Sequence, residues 1–448
     1  MTNDSGVKVR MYLQGLGDCF LITLPRKDGK PYFIMIDCGV ILGTADPASK
    51  MKAVVDDIAG ATGGHIDLLL ATHEHWDHLS GFLQAKDSFA RLKVDKLWLA
   101  WTENPDDDLA GKLRSEHQAL RQALTAASAR MRFAGSADSR VDGLMEFYGA
   151  AGQGTTREAL KAVRSLCAES DIRFCLPEDD PVDLEGVDAR LYVLGPPHDE
   201  TLIKRFNPSK SHPETYGMAA AYLDKVAPGI MDAEGNTPFD PILQIPVEAA
   251  AQMPFFQKRY WGEDADSGEE RDQSWRRIDG SWLDSSSSLA LQLDSATNNT
   301  SLVLAIELGN SDVLLFAADA QVGAWLSWQG LSWKVGGKVV TAVDLLRRTV
   351  LYKTGHHGSH NATLQEKGLE TMENLKVALI PVDRAMALKK GWRQMPLENL
   401  EKRLNEITKG CVLRIDKEIP AALSGQVAQD ESGTLYYEVT VSRQAISL

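Results

Sequence analysis

Paired cysteines are missing from this chain. Cys19, Cys38, Cys167, Cys175 and Cys411 are odd in number and scattered, with no Cys-x-x-Cys spacing. That excludes a disulfide framework and predicts buried thiols in a reducing cytoplasm. Long apolar runs are also missing, since none approaches the roughly 18 residues of a membrane span. Residues 1–8, Met-Thr-Asn-Asp-Ser-Gly-Val-Lys, have no signal-peptide core. A cytoplasmic protein with no membrane partner is the expectation. Positive charge is in short supply, with 48 Lys and Arg against 62 Asp and Glu and a net charge of −14. This argues against a general basic surface for coating nucleic acid, although bound cations can still dominate the field of a local groove. There is no low-complexity tract and no internal repeat. What is left is an ordinary globular composition, 44% hydrophobic and 25% charged, in 448 residues. That length allows one large domain with insertions, or two or three domains.

What is present is concentrated in residues 65–81. Residues 66–71 are a mostly apolar run, short enough for a buried strand, ending at Thr72. His73, His75, Asp77 and His78 follow within six residues. Groups this close do not share one helix face, where partners recur three or four apart. In an irregular turn after a strand, however, His73 and His75 converge on one ion, and Asp77 and His78 turn toward a second as a helix begins at Leu79. Imidazole nitrogen with carboxylate oxygen suits Zn²⁺ and tolerates Mn²⁺ or Fe²⁺. A solvated loop that happens to be His-rich is the weaker reading, because the cluster stands directly after a buried strand.

The His-x-His-x-Asp-His of residues 73–78 resembles the signature of the metallo-β-lactamase superfamily, and later motifs can be set against that family's order. Strands are expected at 7–13, 19–24 and 32–37, with turns at Gly15-Leu16-Gly17-Asp18 and Asp28-Gly29. The third ends Asp37-Cys38-Gly39, similar to the family's Asp-x-Gly, so the resemblance has Asp37 supporting the metal loop rather than binding metal. The alternative for Asp37 is a turn cap. Residues 50–59 predict a helix with Met51, Val54, Val55 and Ile58 on one side, and 96–101 a further strand. Residues 102–188 read as a helical insertion, opening on Asp106-Asp107-Asp108 and carrying the stripe Leu109, Leu113, His117, Leu120 and Leu124. A second stripe covers 156–169. After a strand at 189–194, His198 stands where many family members place a third metal-binding His. Residues 199–288 read as a second insertion with an acidic loop at 262–270. Around that loop Phe255, Phe256, Tyr260, Trp261, Trp275 and Trp282 are interleaved with Lys258, Arg259, Arg276 and Arg277. Such a mixture stacks and clamps a nucleotide or single strand, or forms a small hydrophobic subcore with a solvated rim.

Strands at 289–293, 301–307 and 313–317 lead to Ala318-Asp319-Ala320. In the family an Asp here bridges two metals and more often follows Gly. Ala318 therefore asks for ordinary backbone angles. A strand at 351–354, carrying Lys353, runs into Gly355-His356-His357-Gly358-Ser359-His360. This block, with Asn298-Asn299-Thr300-Ser301 before it, resembles the metallo-hydrolase domain of DNA-uptake competence proteins of the ComEC type. His356, directly after the strand, is favoured as the ligand, with His357 as its support or a proton donor, and the inverse assignment stays open. His360 is a substrate or rim residue. A strand is expected at 377–382. Lys389, Lys390 and Arg393 around Trp392 form a small basic cluster for substrate, followed by a helix at 397–407. Residues 411–448 supply closing strands at 411–415 and 435–441.

The resemblance runs from Gly15 to about Asp416 apart from the two insertions. It implies one α/β domain over 1–448, a four-layer αβ/βα sandwich of two mixed sheets with ligands at one edge. It also implies two divalent metal ions, zinc first with manganese as the alternative. His73, His75 and His198 would hold one ion, Asp77, His78 and His356 the other, with Asp319 between them. A metal-bridging hydroxide would attack the substrate, with Asp77 in the catalytic set and Lys353, His357 or His360 assisting the leaving group. The competence branch points to a phosphodiesterase or nuclease acting on nucleic acid or a nucleotide. The rivals are an amide, lactone or thioester hydrolase of a small molecule, and a metal-binding regulatory protein without turnover.

Overall fold

The structure, a computed structural model, describes residues 6–133, 148, 154–209, 214–215, 245, 247–250, 252–261 and 293–441. The chain divides into two compact units, one of residues 1–117, 143–221 and 292–448 and the other of 118–142 and 222–291.

In the first unit, short runs of alternating or wholly apolar residues form two large mixed sheets. The first sheet has the order Val427–Gln429, Tyr436–Val441, Val7–Tyr12, Phe20–Pro25, Pro31–Ile36, Leu68–Ala71, Leu97–Ala100, Ile172–Cys175. Its pairs are antiparallel up to Pro31–Ile36 and parallel from there on. The second sheet runs Val412–Arg414, Val377–Ile380, Thr349–Lys353, Val313–Phe316, Val303–Leu308, Ala189–Gly195, Val182–Asp183. Its parallel half is the one carrying Val313–Phe316 and Thr349–Lys353.

The sheets pack face to face through one core. Val9, Met11, Ile22 and Leu70 from the first meet Leu191, Leu304, Leu314 and Leu351 from the second, and the rings of Phe20 and Phe316 touch edge to face at 5.6 Å. Each such side chain removed from water stabilises the fold by about 1.5–3 kcal/mol. Period-2 alternation sends the neighbours outward: Tyr12, Leu21, Met35 and Leu69 join a second core with Met51, Val54, Val55 and Ile58 of the helix Pro47–Thr62. On the far side of the second sheet lie Trp325 and Trp328 of the helix Val322–Trp328, both fully buried. Helices on both outsides and two mixed sheets inside make an α/β sandwich.

Several details differ from the sequence expectation. The helix after the His cluster starts at Trp76 and not at Leu79, so Asp77 and His78 occupy its first turn and His75 precedes it in extended conformation. An acidic side chain at that position suits the positive end of the peptide dipoles. Residues 293–298 are helical, so Leu293 does not end a strand, and 289–292 lie outside the described residues. Ile172–Cys175, in a stretch expected to be a helical insertion, is the last strand of the first sheet. A hairpin of Ser332–Val335 and Lys338–Thr341 had no expectation attached. Cys19, Cys38, Cys175 and Cys411 are buried and Cys167 is half-buried, all as free thiols. Among the described residues no helix is long and apolar enough to cross a membrane.

The second unit's described part holds the remainder of the helix Asp108–Phe133 and the short helices Val247–Ala250 and Pro254–Phe256, the last running into a single wide turn, Gln257–Trp261. Phe256 packs on Phe255 at 5.2 Å and on Tyr260 at 5.6 Å, while Phe255 itself is exposed. The acidic loop 262–270, Trp275, Arg276, Arg277 and Trp282 lie outside the described residues.

Candidate metal centre

Parallel strands leave their carboxyl ends at one edge, where side chains from successive loops converge. Asp37 follows Pro31–Ile36 and Thr72 follows Leu68–Ala71, its parallel neighbour. Asp319 and His357 stand after the parallel pair Val313–Phe316 and Thr349–Lys353. A bond from the Leu302 amide to the Thr72 carbonyl (2.9 Å) ties the two edges together.

The result is a buried group of Asp77, His78, Asp319 and His357 whose ligand atoms all lie within 4.8 Å of one another. His78 Nε2 is 3.2 Å from Asp319 Oδ2, and His357 Nε2 is 3.0 Å from Asp77 Oδ2 and 3.5 Å from Asp319 Oδ2. Beside it His73 Nε2 faces His75 Nδ1 at 3.0 Å.

The back of each ring decides which nitrogen it presents. His357 Nδ1 donates to the Pro381 carbonyl at 2.9 Å, an acceptor only, so that in the neutral ring Nε2 is the lone-pair nitrogen. His78 Nδ1 donates to Asp37 Oδ2 at 2.7 Å. Asp37 also accepts the Thr72 amide at 2.8 Å and its hydroxyl at 2.7 Å, and that hydroxyl lies 3.1 Å from His73 Nδ1. His73, His78 and His357 are therefore oriented from behind, as metal-binding imidazoles are, with Asp37 as the hub for two of them.

Three strands of the hydrogen-bonding account end without a partner. Asp77 Oδ1, His78 Nε2 and Asp319 Oδ2 are buried and make no hydrogen bond among the described residues. Leaving a buried polar atom unsatisfied costs about 1–3 kcal/mol, more for a charged one. Carboxylate and imidazole atoms left bare side by side are the donor set a divalent cation satisfies, so the residues fit such an ion. The charges agree. Burial works against the charged form of each group, but Asp319, Asp77 and Asp37 raise His78 well above the usual imidazole range, and Asp319 and Asp77 raise His357. Burial likewise opposes the carboxylates, yet His78 and His357 hold both Asp77 and Asp319 below their ordinary values. Burial pushes His73 well below its usual value, His75 to about 3 and His356 to about 4.

The other sequence candidates fall in different places. His356 is buried, with Nδ1 3.3 Å from Gln321 Nε2. It is His357, and not the favoured His356, that meets Asp77 and Asp319. The structure does not bring His198 to the centre. Its Nε2 is 2.9 Å from Asp107 Oδ2, and its half-exposed ring packs on Trp101 at 4.3 Å. Lys353 is buried completely, and its three ammonium protons face Asp18 Oδ2 at 2.5 Å, the Ala318 carbonyl at 2.8 Å and Asp319 Oδ1 at 3.4 Å. In this arrangement it braces Asp319. His360 is half-buried beside Ser359 Oγ at 3.5 Å, and burial lowers its pKa.

Lys389, Lys390, Trp392 and Arg393 lie at the end of the helix Arg384–Lys389 and the turn after it, with Lys389 and Arg393 exposed. That segment is fastened to the His357 loop at both ends, by the Pro381 carbonyl and by the bond from the Leu397 amide to the Gly358 carbonyl (2.9 Å).

Ala318 departs from the expectation of ordinary angles: its φ is +45°, in the left-handed region. Asp37, His356 and His357 share it at +54°, +41° and +52°. A side chain there costs of order 1–2 kcal/mol, and strain of this kind gathers at functional sites.

Residues that the sequence reading did not single out also meet here. Asp18 braces Lys353, and the Gly15-x-Gly17-Asp18 turn was its only signal. Asp294 and Tyr148 come up to His75 from parts of the chain with no motif at all. A cleft of about 890 Å³ along Arg26, Tyr32, Trp98 and Arg173 lies at the opposite ends of the strands and shares no residue with the centre. The chain matches no protein-family model and no curated protein sequence.

Proposed function

We propose that this protein is a dinuclear metal-dependent hydrolase of the metallo-β-lactamase fold, acting on a phosphodiester in a nucleic acid or nucleotide. The observation that carries it is the set of bare, buried atoms on Asp77, His78 and Asp319, closed by His357 and oriented from behind by Asp37 and Pro381. The α/β sandwich with its loops at the carboxyl edge supports the fold reading, as do the motifs at 73–78 and 355–360.

Two divalent ions in such a set supply hydroxide at neutral pH and stabilise charge on the attacked group. Asp77, His78, Asp319 and His357 would hold one ion, and His73 and His75 the other, with His356 as a further candidate. Lys353 fixes Asp319 through Oδ1 and leaves Oδ2 turned to the centre. His360, less buried than its neighbours, is the group best situated to meet substrate. A phosphodiester is favoured over a neutral amide or lactone because Lys389, Lys390 and Arg393 hang from the His357 loop, where cations bind phosphate oxygens. Trp392 beside them offers a face for a base. With a net charge of −14, single strands, short oligonucleotides or cyclic nucleotides suit the protein better than long duplex.

The test is metal content per chain together with hydrolysis of bis(p-nitrophenyl) phosphate, with nitrocefin as control. About two metals per chain and phosphodiester cleavage lost on chelation are expected. Asp319→Ala should abolish turnover and lower metal content, and undiminished activity in that variant would sink the assignment. Nitrocefin turnover alone would move the reading to a carbonyl substrate, and no tightly held metal would move it to a regulatory protein.

A further inference from the structure

His75 differs from the three histidines oriented from behind. Its Nδ1 faces His73 Nε2 at 3.0 Å, and those are the two nitrogens that would share an ion. Its outer nitrogen, Nε2, must then carry the proton, and a ligating imidazole gives that proton to a carboxylate, carbonyl or hydroxyl. Tyr148 and Asp294 are among the groups that stand there. Tyr148 Oη is 3.4 Å from His75 Nε2, and its ring meets the imidazole edge to face at 5.3 Å. Asp294 Oδ1 is 3.8 Å away.

Asp294 is 5% exposed. Its Oδ2 accepts Asn298 Nδ2 at 3.2 Å, while its Oδ1, the atom turned to His75, makes no hydrogen bond among the described residues. Tyr148 is steadied by Thr297 Oγ1 at 2.9 Å, so the helical residues 293–298 supply both the carboxylate and the prop of the phenol.

We propose that Asp294, with Tyr148, is the positioning pair for His75: its carboxylate accepts a hydrogen bond from Nε2–H and so fixes Nδ1 as the nitrogen presented to the ion. This rests on the metal reading above. It gives His75 what Asp37 gives His78, from parts of the chain outside the metal-binding motifs.

The full chain, stripped by chelator, is titrated with Zn²⁺ against a chromophoric competitor as wild type, Asp294→Asn, Asp294→Leu, His75→Ala and the double variant Asp294→Leu/His75→Ala. Wild type should take up two ions. Asp294→Leu should weaken one of them by about 10–100-fold and leave the other alone. Asp294→Asn, whose amide oxygen still accepts a proton, should recover most of the loss. The double variant should bind no more weakly than His75→Ala alone, because Asp294 acts through His75. Equal affinity in Asp294→Leu and wild type overturns the proposal, and so does a further loss in the double variant, which would make Asp294 a ligand itself; both leave the hydrolase reading standing. A wild-type chain that takes up no Zn²⁺ overturns both. Independently of any variant's folding, ¹⁵N-edited spectra of the zinc-loaded wild type should show the His75 proton on Nε2. A proton on Nδ1 overturns the proposal.

Discussion

His198 and His357 show how far a single residue can be read from its place in a motif. Both follow a strand of the second sheet, and both were candidates for ligands or their neighbours. His357 reaches Asp77 and Asp319 because φ +52° at its own position and +41° at His356 turn the chain back over the edge. His198 leaves its strand through Gly195-Pro196-Pro197 and lands on Trp101 and Asp107. His198→Ala should therefore leave the metal content and metal affinity of the protein unchanged. The expected cost is confined to stability, and at a half-exposed ion pair it is under about 1 kcal/mol. Loss of one ion per chain in this variant, measured by elemental analysis, would return His198 to the ligand set. The cluster itself was legible in the sequence, since His73, His75, Asp77 and His78 stand side by side directly after a buried strand. Which of two adjacent histidines faces inward was not, because it depends on backbone angles that a non-glycine residue adopts only when the surrounding fold compels it. Asp18, Lys353 and Asp294 were invisible as partners for the same reason: their meeting is made by tertiary contact between distant segments.

At the scale of elements, the strands were the most legible part, because period-2 alternation and wholly apolar runs map directly onto one or both faces of a sheet. Helix starts were less so. The helix Trp76–Gln84 begins inside the motif, and the reason lies in its packing against two other loops. The amide of Cys38 bonds the His78 carbonyl at 2.9 Å and the amide of Asp18 bonds the Asp77 carbonyl at 3.1 Å, so the turns at 15–19 and 37–44 are stacked on the first turn of the helix. The stack requires bare backbone at Gly39. A Cβ there would stand 2.4 Å from the carbonyl carbon and oxygen of Asp77, and backbone at that distance cannot swing aside as a flexible side chain does. Gly39→Ala is expected to destabilise the protein by about 1–3 kcal/mol and to shift Asp77 from its place. Thermal melting should show a lowered midpoint and Zn²⁺ titration a weakened ion in the same variant. A normal melt with normal metal affinity would mean that the loops are not held this closely.

For the whole molecule, the balance of charge at the centre couples stability to both pH and metal. Without ions, the imidazolium forms of His78 and His357 offset Asp77 and Asp319, and the directions of their shifts set the pH range. His78 and His357 are raised in the folded chain, so their contribution is complete below the unfolded imidazole pKa, about 6.5, and is lost as pH rises through the raised values. Asp77 and Asp319 are lowered, so theirs is present above about 3.9 and is lost as pH falls through the lowered values. These four groups favour the stripped protein on the acid side of neutrality, while His73, His75 and His356, lowered in the folded chain, oppose them as pH falls below the unfolded imidazole value of about 6.5. Bound ions would displace the protons of His78 and His357, because an imidazole must shed its proton to bind one. A ligand at 100 times its dissociation constant adds about 2.7 kcal/mol to stability, and that dissociation constant falls as the histidines deprotonate. The difference in melting midpoint between metal-loaded and chelated protein should therefore widen from about pH 6 to about pH 8. Scanning fluorimetry at matched ionic strength, with and without chelator, measures it directly. A difference that stays constant or narrows over that range would take His78 and His357 out of the ligand set, since protons would then not be competing with metal for the same nitrogens.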